Sequence, residues 1–176
     1  MGVGEDEGAK AIFKAIFVRL DRCLGCRQCE ISCALEHSKT KDLYKAVWER
    51  PGPRQRVRVV RESMEYYPLR CFHCEDPPCV SACISGAMQV EVGTGRVVND
   101  LKRCVGCWMC VMVCPYGVIQ RHEDSRVALK CDRCPDQEEP ACVRDCPTGA
   151  LIAKPAVPKH ALEPLMGSGM EAGEVR

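Results

Sequence analysis

The 176-residue sequence has few of the side chains that usually fill a large hydrophobic core. Aromatic residues make up 5% of the chain, while prolines number 12. Apolar runs fall far short of the roughly 20 residues needed to cross a bilayer, so we expect no direct membrane insertion. Cysteine, by contrast, occurs 16 times, and such a content indicates a chain held together by cross-links or by bound metal.

The sequence also lacks a recognisable secretory signal. Residues 1–10 are glycine-rich and acidic, with no basic segment followed by an apolar one. Disulfides persist in oxidising compartments, whereas cytosolic thiols stay reduced. We therefore expect a cytoplasmic protein whose cysteines bind metal and do not form a disulfide framework.

Motifs of catalysis and of nucleotide binding are absent as well. The chain contains no nucleophile–base constellation, no phosphate-binding loop and no Gly-x-Gly-x-x-Gly. Its basic residues follow the cysteines and form no separate stripe, which argues against a nucleic-acid interface. The sequence therefore predicts a protein that is not an enzyme and does not bind nucleic acid.

The cysteines fall into four groups of four, and none is left over. The first and third groups share the spacing C-x2-C-x2-C-x3-C, the second is C-x2-C-x4-C-x3-C and the fourth is C-x2-C-x7-C-x3-C. In chain order the groups are Cys23, Cys26, Cys29 and Cys33; Cys71, Cys74, Cys79 and Cys83; Cys104, Cys107, Cys110 and Cys114; and Cys131, Cys134, Cys142 and Cys146. The flanks repeat too, because Ser85–Ala87 follows the second group and Thr148–Ala150 the fourth.

This spacing is typical of [4Fe–4S] clusters. A cubane exposes four iron corners, and each takes one thiolate. The run C-x2-C-x2-C wraps three corners, and the fourth corner needs a cysteine from elsewhere. A zinc site of four cysteines joins two C-x2-C pairs through a separate loop and has no use for groups this dense. The sequence thus predicts four fully ligated [4Fe–4S] clusters, with no iron left open for a substrate.

Cluster charge gives a reason for the basic residues near the cysteines. The formal net charge is +1, but a cluster core held by four thiolates carries about −2, so four clusters bring the chain to about −7. Basic residues beside the cysteine groups offset this charge. They are Arg22, Arg27, Arg70, Lys102, Arg103, Lys130, Arg133 and Arg144.

The last cysteine of each group is expected to cross to another cluster. In bacterial two-cluster ferredoxins the fourth cysteine of one run ligates the other cluster. Proximity in sequence favours pairing of the two inner groups, which leaves the outer groups as a pair; pairing of first with second and of third with fourth is the alternative. The favoured ligand sets are Cys23, Cys26, Cys29 and Cys146; Cys131, Cys134, Cys142 and Cys33; Cys71, Cys74, Cys79 and Cys114; and Cys104, Cys107, Cys110 and Cys83.

Short runs of β-forming residues between the cysteine groups predict an α+β fold. Hairpins are expected over residues 88–98 and 118–129, strands over 12–20, 56–60 and 151–153, and a helical turn at 111–113. The resulting architecture is two intertwined bacterial-ferredoxin-like modules with short hairpins and short helices around four cubane clusters. The outer module is 11–35 with 125–153, the inner module is 65–122, the insertion is 36–64 and the tail is 154–176.

These motifs resemble the four-cluster iron–sulfur subunits of the dimethyl sulfoxide reductase and formate dehydrogenase type. The resemblance covers about residues 12–153 with all sixteen cysteines, and it is strongest to the ferredoxin-like carrier of nickel carbon monoxide dehydrogenase. The small iron–sulfur subunits of tungsten aldehyde oxidoreductase are related. The stretches that carry the resemblance are 23–29, 36–38, 71–79 and 104–115.

The resemblance implies an electron-transfer subunit of an anaerobic oxidoreductase complex. It would relay electrons through four [4Fe–4S] clusters between a catalytic subunit, carbon monoxide dehydrogenase-like or a tungsten or molybdenum enzyme, and a second donor or acceptor protein. The family pairs outer with outer and inner with inner groups. Proline often follows a fourth cysteine in the family, and its replacement by Ala34 and Ile84 affects only the local turn. The alternative functions are a free-standing polyferredoxin and a structural, metal-stapled assembly protein.

Side chains near the ligands have simpler expected roles. His73 is expected to face solvent, the alternative being an N–H donor to a cluster sulfur. His37, His122 and His160 have no ligand spacing and are expected at the surface. Trp108 and Met109 are expected to pack over a cluster and shield it from water, which would lower its potential modestly. Trp108 replaces no cysteine, so all four cubanes are expected to be complete.

Overall fold

The computed structural model describes residues 14–122 and 124–155, and these form short strands and short helices between cysteine-rich loops. The strands are β1 (Lys14–Val18), β2 (Arg58–Glu62), β3 (Glu65–Leu69), β4 (Met88–Val90), β5 (Val97–Asn99), β6 (Gln120–His122), β7 (Val127–Leu129) and β8 (Leu151–Pro155). The helices are α1 (Gln28–Glu36), α2 (Leu43–Ala46), α3 (Pro78–Ser81), α4 (Met109–Val113) and α5 (Ala141–Arg144), with a 3-10 turn at Leu20–Arg22. The chain is therefore α+β.

The strands pair as four two-stranded antiparallel sheets within the described residues. Three pairs are hairpins, β2–β3, β4–β5 and β6–β7. The fourth pair joins β1 to β8, with Ile16 opposite Ala153, so the two distant parts of the chain close on each other. Just beyond β1, the Arg19 N–H donates to the carbonyl oxygen of Ala150 at 2.7 Å.

Most predicted elements are present. The hairpins expected over 88–98 and 118–129 appear as β4–β5 and β6–β7, and the expected strands appear as β1, β2 and β8. The helical turn expected at 111–113 is the end of α4. Two elements were missed, β3 and α2. The predicted residues 11–13, His160 and the tail from 156 onward lie outside the described residues.

Each missed element has a local reason. Strand β3 contains Pro68, which cannot donate to a strand ladder and which demotes the run as a strand candidate. The hairpin forms because Ser63 adopts a left-handed φ of 54° in the two-residue turn. Helix α2 is only four residues long, too short for a helical periodicity. Its start is fixed by the Asp42 carboxylate, which accepts from the Lys45 N–H at 3.0 Å.

The hydrophobic core is thin and rich in cysteine. Within the described residues, eight of the 23 buried hydrophobic side chains are cysteines and none is aromatic. One cluster packs Ile16, Val57 and Leu151 around Cys33 and Cys142. A second packs Met88, Val97 and Ile119 around Cys79 and Cys110. Cysteine ligation therefore has to supply stability that apolar packing alone does not. No helix in the described part of the chain is long and apolar enough to cross a membrane.

Candidate iron–sulfur sites

The first site lies at the loop that precedes α1. Cys23, Cys26 and Cys29 line a surface pocket together with Cys146. Cys146 follows α5 directly, and α5 packs against α1. Helix packing thus brings the last cysteine of the fourth group to the first three cysteines of the first group.

The second site repeats this arrangement at the loop that precedes α4. Cys104, Cys107 and Cys110 line a surface pocket together with Cys83. Cys83 lies just after α3, and α3 packs against α4. The last cysteine of the second group therefore reaches the first three cysteines of the third group. We call this pair of sites the peripheral sites.

Both peripheral loops have the same backbone path. Gly25 and Gly106 adopt left-handed φ values of 66° and 68°, a region in which glycine carries no steric penalty. Arg27 and Trp108 adopt φ values of 60° and 65° at the start of the following helix. The turn projects the second cysteine of each loop outward, and Cys26 and Cys107 are the exposed cysteines of the chain.

The third site is fully enclosed. Cys33, Cys131, Cys134 and Cys142 are all buried. Burial raises the pKa of the Cys33 thiol to about 12, and the nearby Cys131 and Cys134 add to the rise. The pKa of Cys142 is raised by burial and then by Cys131, Cys33 and Cys134. These thiols are therefore close neighbours.

The fourth site combines Cys71, Cys74, Cys79 and Cys114. Burial raises the pKa of Cys79 to about 11, with further increases from Cys71 and Cys114. The pKa of Cys74 is likewise raised by burial and by the same two neighbours. A small apolar cluster of Cys71, Cys131 and Val118 connects this site to the third one. We call the third and fourth sites the central sites.

The repeated tripeptides after Cys83 and Cys146 have a structural role. Burial raises the pKa of the Cys83 thiol, but hydrogen bonds from the Met88 N–H, the Ser85 hydroxyl and the backbone of Ala87 and Ser85 together bring it below its ordinary value. The Met88 N–H lies 3.4 Å from the Cys83 sulfur. Burial also raises the pKa of Cys146, which bonds with the backbone and Thr148 then bring below its ordinary value. Both positions are therefore prepared to hold a thiolate.

Arg56 and His37 lie beside one central site. The Arg56 N–H donates to the Cys33 sulfur at 3.2 Å. The Arg56 guanidinium also pairs with the Asp132 carboxylate, inside the Cys131–Cys134 loop. His37 lies 3.2 Å from the same carboxylate through Nε2. Sequence reasoning missed Asp132, although a carboxylate inside a C-x2-C pair is a signal for a nearby cation.

Three histidine predictions were wrong. His73 is buried, 6% exposed, and its Nδ1 accepts the Val97 N–H at 3.0 Å. Burial, and then the charge on Lys130, lower the pKa of His73 to about 2, so its imidazole is neutral. His122 is buried as well, and the side chain of His37 is only 14% exposed. Met109 is 40% exposed, and Trp108 lines the pocket of its peripheral site; that both residues shield a cluster from water stays a prediction.

The donor chemistry of the four sites fits [4Fe–4S] clusters. Each site offers four cysteine sulfurs, all from free cysteines, which is the ligand number of a cubane. Backbone N–H groups reach the sulfurs of Cys33, Cys71 and Cys83 at 3.2 to 3.4 Å, and such bonds are a recognised means of tuning cluster potentials. The residues would therefore hold iron–sulfur clusters through thiolate ligands.

Comparisons with known proteins agree with this chemistry. A 4Fe-4S dicluster domain matches residues 62–154, and a 4Fe-4S binding domain matches residues 20–40. The chain is 36% identical over 152 residues to an iron-sulfur protein of Rhodospirillum rubrum, covering 77% of this chain and 79% of that one. It is 33% identical over 166 residues to the electron transport protein HydN of Escherichia coli K12, covering 85% and 91%.

A further relative is one of the subunits of the tetrathionate reductase of Salmonella typhimurium. The identity is 35% over 156 residues, covering 83% of this chain and 59% of that longer one. The first two relatives are named as iron–sulfur or electron-transport proteins, and the matched domains bind 4Fe–4S clusters. The chain therefore belongs to the family of ferredoxin-like 4Fe–4S electron-transport proteins.

Proposed function

We propose that this chain is a non-catalytic electron-transfer subunit that carries four [4Fe–4S] clusters in a row. The observation that carries the proposal is the sorting of all sixteen cysteines into four neighbour sets, two peripheral and two central. The sets are Cys23, Cys26, Cys29 and Cys146; Cys131, Cys134, Cys142 and Cys33; Cys71, Cys74, Cys79 and Cys114; and Cys104, Cys107, Cys110 and Cys83. Each set supplies the four ligands of one cluster.

Contacts between neighbouring sets support the order of the row. Cys29 and Cys33 lie one turn apart on α1 and belong to a peripheral and a central set. Cys71 and Cys131 share an apolar cluster and join the two central sets. Cys110 contributes to the raised pKa of Cys79 and so lies near the other central set. The row then runs peripheral, central, central, peripheral.

Buried and exposed cysteines have different proposed roles in electron transfer. A bound [4Fe–4S] cluster takes up or gives off one electron without needing a proton from the protein. Buried cysteines in the central sites keep water away from the sulfurs, while Cys26 and Cys107 bring the two ends of the row to the surface. Because every ligand position is a cysteine, no iron is open to a substrate.

The chain organisation is proposed to be two nested modules. The outer module comprises 11–35 and 125–153, the inner module is 65–122, and residues 36–64 are an insertion into the outer one. Pairing of β1 with β8 and packing of α1 against α5 support the outer module. Packing of α3 against α4 supports the inner module.

The partners are proposed to be a catalytic oxidoreductase subunit at one peripheral site and a second redox protein at the other. Leu24 and Val105, within the two peripheral loops, are 69% and 64% exposed and provide apolar contact surface beside Cys26 and Cys107. One relative is itself named as a subunit of a reductase. A carbon monoxide dehydrogenase-like enzyme or a tungsten or molybdenum enzyme is the proposed catalytic partner, in the reducing cytoplasm.

Anaerobic purification of the tagged native protein from its own cells tests this function. We expect a catalytic oxidoreductase subunit to co-elute, and the visible absorbance of the clusters to bleach when the substrate of that subunit is added. A chain that elutes as a lone monomer with every candidate partner present would instead be a free-standing polyferredoxin. Clusters that no partner or chemical reductant can reduce would mark a structural, metal-stapled protein.

A further inference from the structure

Two cations occupy equivalent places in the central loops. Arg70 directly precedes Cys71, and Lys130 directly precedes Cys131. Both are almost fully buried, at 3% and 4% exposure. The residues that precede the peripheral loops, Arg22 and Arg103, are exposed. The same sequence position therefore holds a buried charge in the central sites and a solvated one in the peripheral sites.

Arg70 extends away from its own loop into the part of the chain that forms the outer module. Its Nη2 donates to the carbonyl oxygen of Ile16 in β1. Ile16 packs in one hydrophobic cluster with Cys33 and Cys142. Both of these cysteines belong to the other central site. The guanidinium is thus carried by one loop and placed beside the ligands of the other.

The Lys130 side chain extends in the opposite direction, from the Cys131 loop toward strand β5. Its Nζ donates to the carbonyl oxygen of Val97 in β5, and to that of Cys131 at 2.9 Å. Val97 packs in one hydrophobic cluster with Cys79, a ligand of the other central site. The ammonium group therefore extends from its own loop, which begins at Cys131, toward the Cys71 loop.

Neither cation has a carboxylate counter-ion in the part of the chain that the structure describes. The ion pairs found there involve neither Arg70 nor Lys130. An uncompensated buried charge is strongly destabilising. Four thiolates around a cluster core leave about −2 at each central site, and this charge is the available compensation.

We propose that Arg70 and Lys130 are a reciprocal pair of buried cations, each placed beside the central cluster of the opposite module and raising the midpoint potential of that cluster. The inference rests on the proposed four-cluster function and adds a tuning role to residues that ligate nothing. A reduced cluster carries one more negative charge than an oxidised one, so a nearby fixed cation favours reduction. The hydrogen bonds from Arg70 to Ile16 and from Lys130 to Val97 also connect the two modules.

Redox titration followed by electron paramagnetic resonance tests the pair. The variants are Arg70→Gln and Lys130→Gln, with Arg70→Lys and Lys130→Arg retaining the charge. The controls are Arg22→Gln and Arg103→Gln, which remove an exposed cation from the same sequence position. Potentials are assigned by Cys134→Ser and Cys74→Ser, each of which alters a single central cluster.

We expect a crossed result. Arg70→Gln lowers chiefly the potential of the cluster at Cys131, Cys134 and Cys142, and Lys130→Gln chiefly that of the cluster at Cys71, Cys74 and Cys79. A tenfold fall in the reduction equilibrium corresponds to about 59 mV for a one-electron couple, and we expect a change of this order. The charge-retaining variants stay near the wild type, and the exposed controls leave both central potentials unchanged.

Several results would overturn the inference. These are a larger shift at the cluster of the same loop, equal shifts at both central clusters, or controls that shift the central potentials as much. If Arg70→Gln does not load iron, Arg70→Met removes the charge without burying a new polar group and is titrated instead. Failure of the proposed function would show as fewer than four clusters in the unmodified protein. Failure of this inference would show as four clusters in which neither variant shifts chiefly the potential of the opposite central cluster.

Discussion

The two peripheral loops are the same in spacing and backbone but differ in what surrounds them. Gly25 and Gly106 share a left-handed φ, and the second cysteine is exposed in both. A Cβ added at Gly25 would meet the ring of Tyr66 at 2.4 Å, whereas one added at Gly106 would meet the backbone oxygen of Arg126 at 2.3 Å. One loop is backed by a side chain and the other by main chain.

The residue after the second cysteine shows the same contrast. Arg27 and Trp108 have nearly identical backbone angles at the start of their helices. Arg27 carries an exposed charge, while Trp108 lies under the guanidinium of Arg121, 5.5 Å from its ring. Cysteine spacing thus fixes the path of the loop, and the neighbouring residues set its electrostatics. Under the proposed function, the two peripheral clusters can therefore differ in potential on the same backbone.

The largest expected effect comes from removing the crossing ligand of either end. Cys146→Ser is expected to damage the cluster wrapped by Cys23, Cys26 and Cys29, and Cys83→Ser the cluster wrapped by Cys104, Cys107 and Cys110. Loss of one cubane would remove about four iron per chain, measured by iron analysis with electron paramagnetic resonance to identify the missing signal. If Cys146→Ser instead removes the cluster of the Cys131 loop, the crossing of ligands is wrong.

Substitution of Gly25 or Gly106 by alanine is expected to destabilise the two loops to different extents, because different groups pack behind them. The left-handed backbone costs either alanine about 1–2 kcal/mol, and overpacking adds about 1–3 kcal/mol. Because a main-chain oxygen cannot move aside, Gly106→Ala should release its clusters faster in guanidinium than Gly25→Ala. The loss of visible absorbance measures the rate of release.

Two further variants control this comparison. Gly117→Ala, at φ 57° with open space around the Cβ, isolates the backbone cost. Tyr66→Ala should partly rescue Gly25→Ala, because it removes the clashing ring. Equal rates of cluster release in all three glycine variants would show that the groups packed behind the loops do not affect cluster stability.

A smaller effect is expected from the residue that follows the third cysteine. Glu30 follows Cys29 and accepts the Val59 N–H at 2.5 Å, which holds the β2–β3 hairpin; the equivalent residue after Cys110 is Val111. Glu30→Val makes the outer end resemble the inner one and leaves the buried Val59 N–H unpaired, at about 1–3 kcal/mol.

Hydrogen exchange at the Val59 amide reports this loss directly. Faster exchange in Glu30→Val, with near-normal exchange in Glu30→Gln, is the expected pattern, since glutamine keeps an acceptor oxygen. Unchanged protection in Glu30→Val would mean that the strand pairing of β2 and β3 holds the hairpin without Glu30.

The smallest effect is expected from exchanging the residues at the two helix starts. A nearby cation raises a cluster potential and exclusion of water lowers it. Trp108→Arg should therefore raise the potential of its peripheral cluster, and Arg27→Trp should lower that of the other, by less than a tenfold change in reduction equilibrium. Redox titration measures both, with Arg27→Lys and Trp108→Phe as controls. Shifts in the opposite directions would contradict the role given to these side chains.

Local sequence rules predicted much of this structure. Cysteine spacing located the ligand loops, and turn residues located the hairpins at 88–98 and 118–129, since both signals lie within a few neighbouring residues. Strand β3 was missed, and its Pro68 is a residue that local rules count against a strand; α2 was missed because four residues carry no periodicity.

Interactions between distant residues explain the remaining errors. Asp132 meets Arg56 from the insertion, and His73 meets Val97 from another strand. Arg70 and Lys130 were expected to offset the charge of the clusters, and only the fold shows that they are buried. The local sequence does not predict which loop a long basic side chain contacts, because that depends on how distant parts of the chain pack together.

Iron and acid-labile sulfide analysis of the anaerobically purified protein, together with zinc analysis, tests the central claim most directly. Four cubanes on sixteen cysteines predict about sixteen iron and sixteen sulfide per chain, with no zinc. About eight of each, as for two clusters, or zinc in place of iron and sulfide, would contradict it.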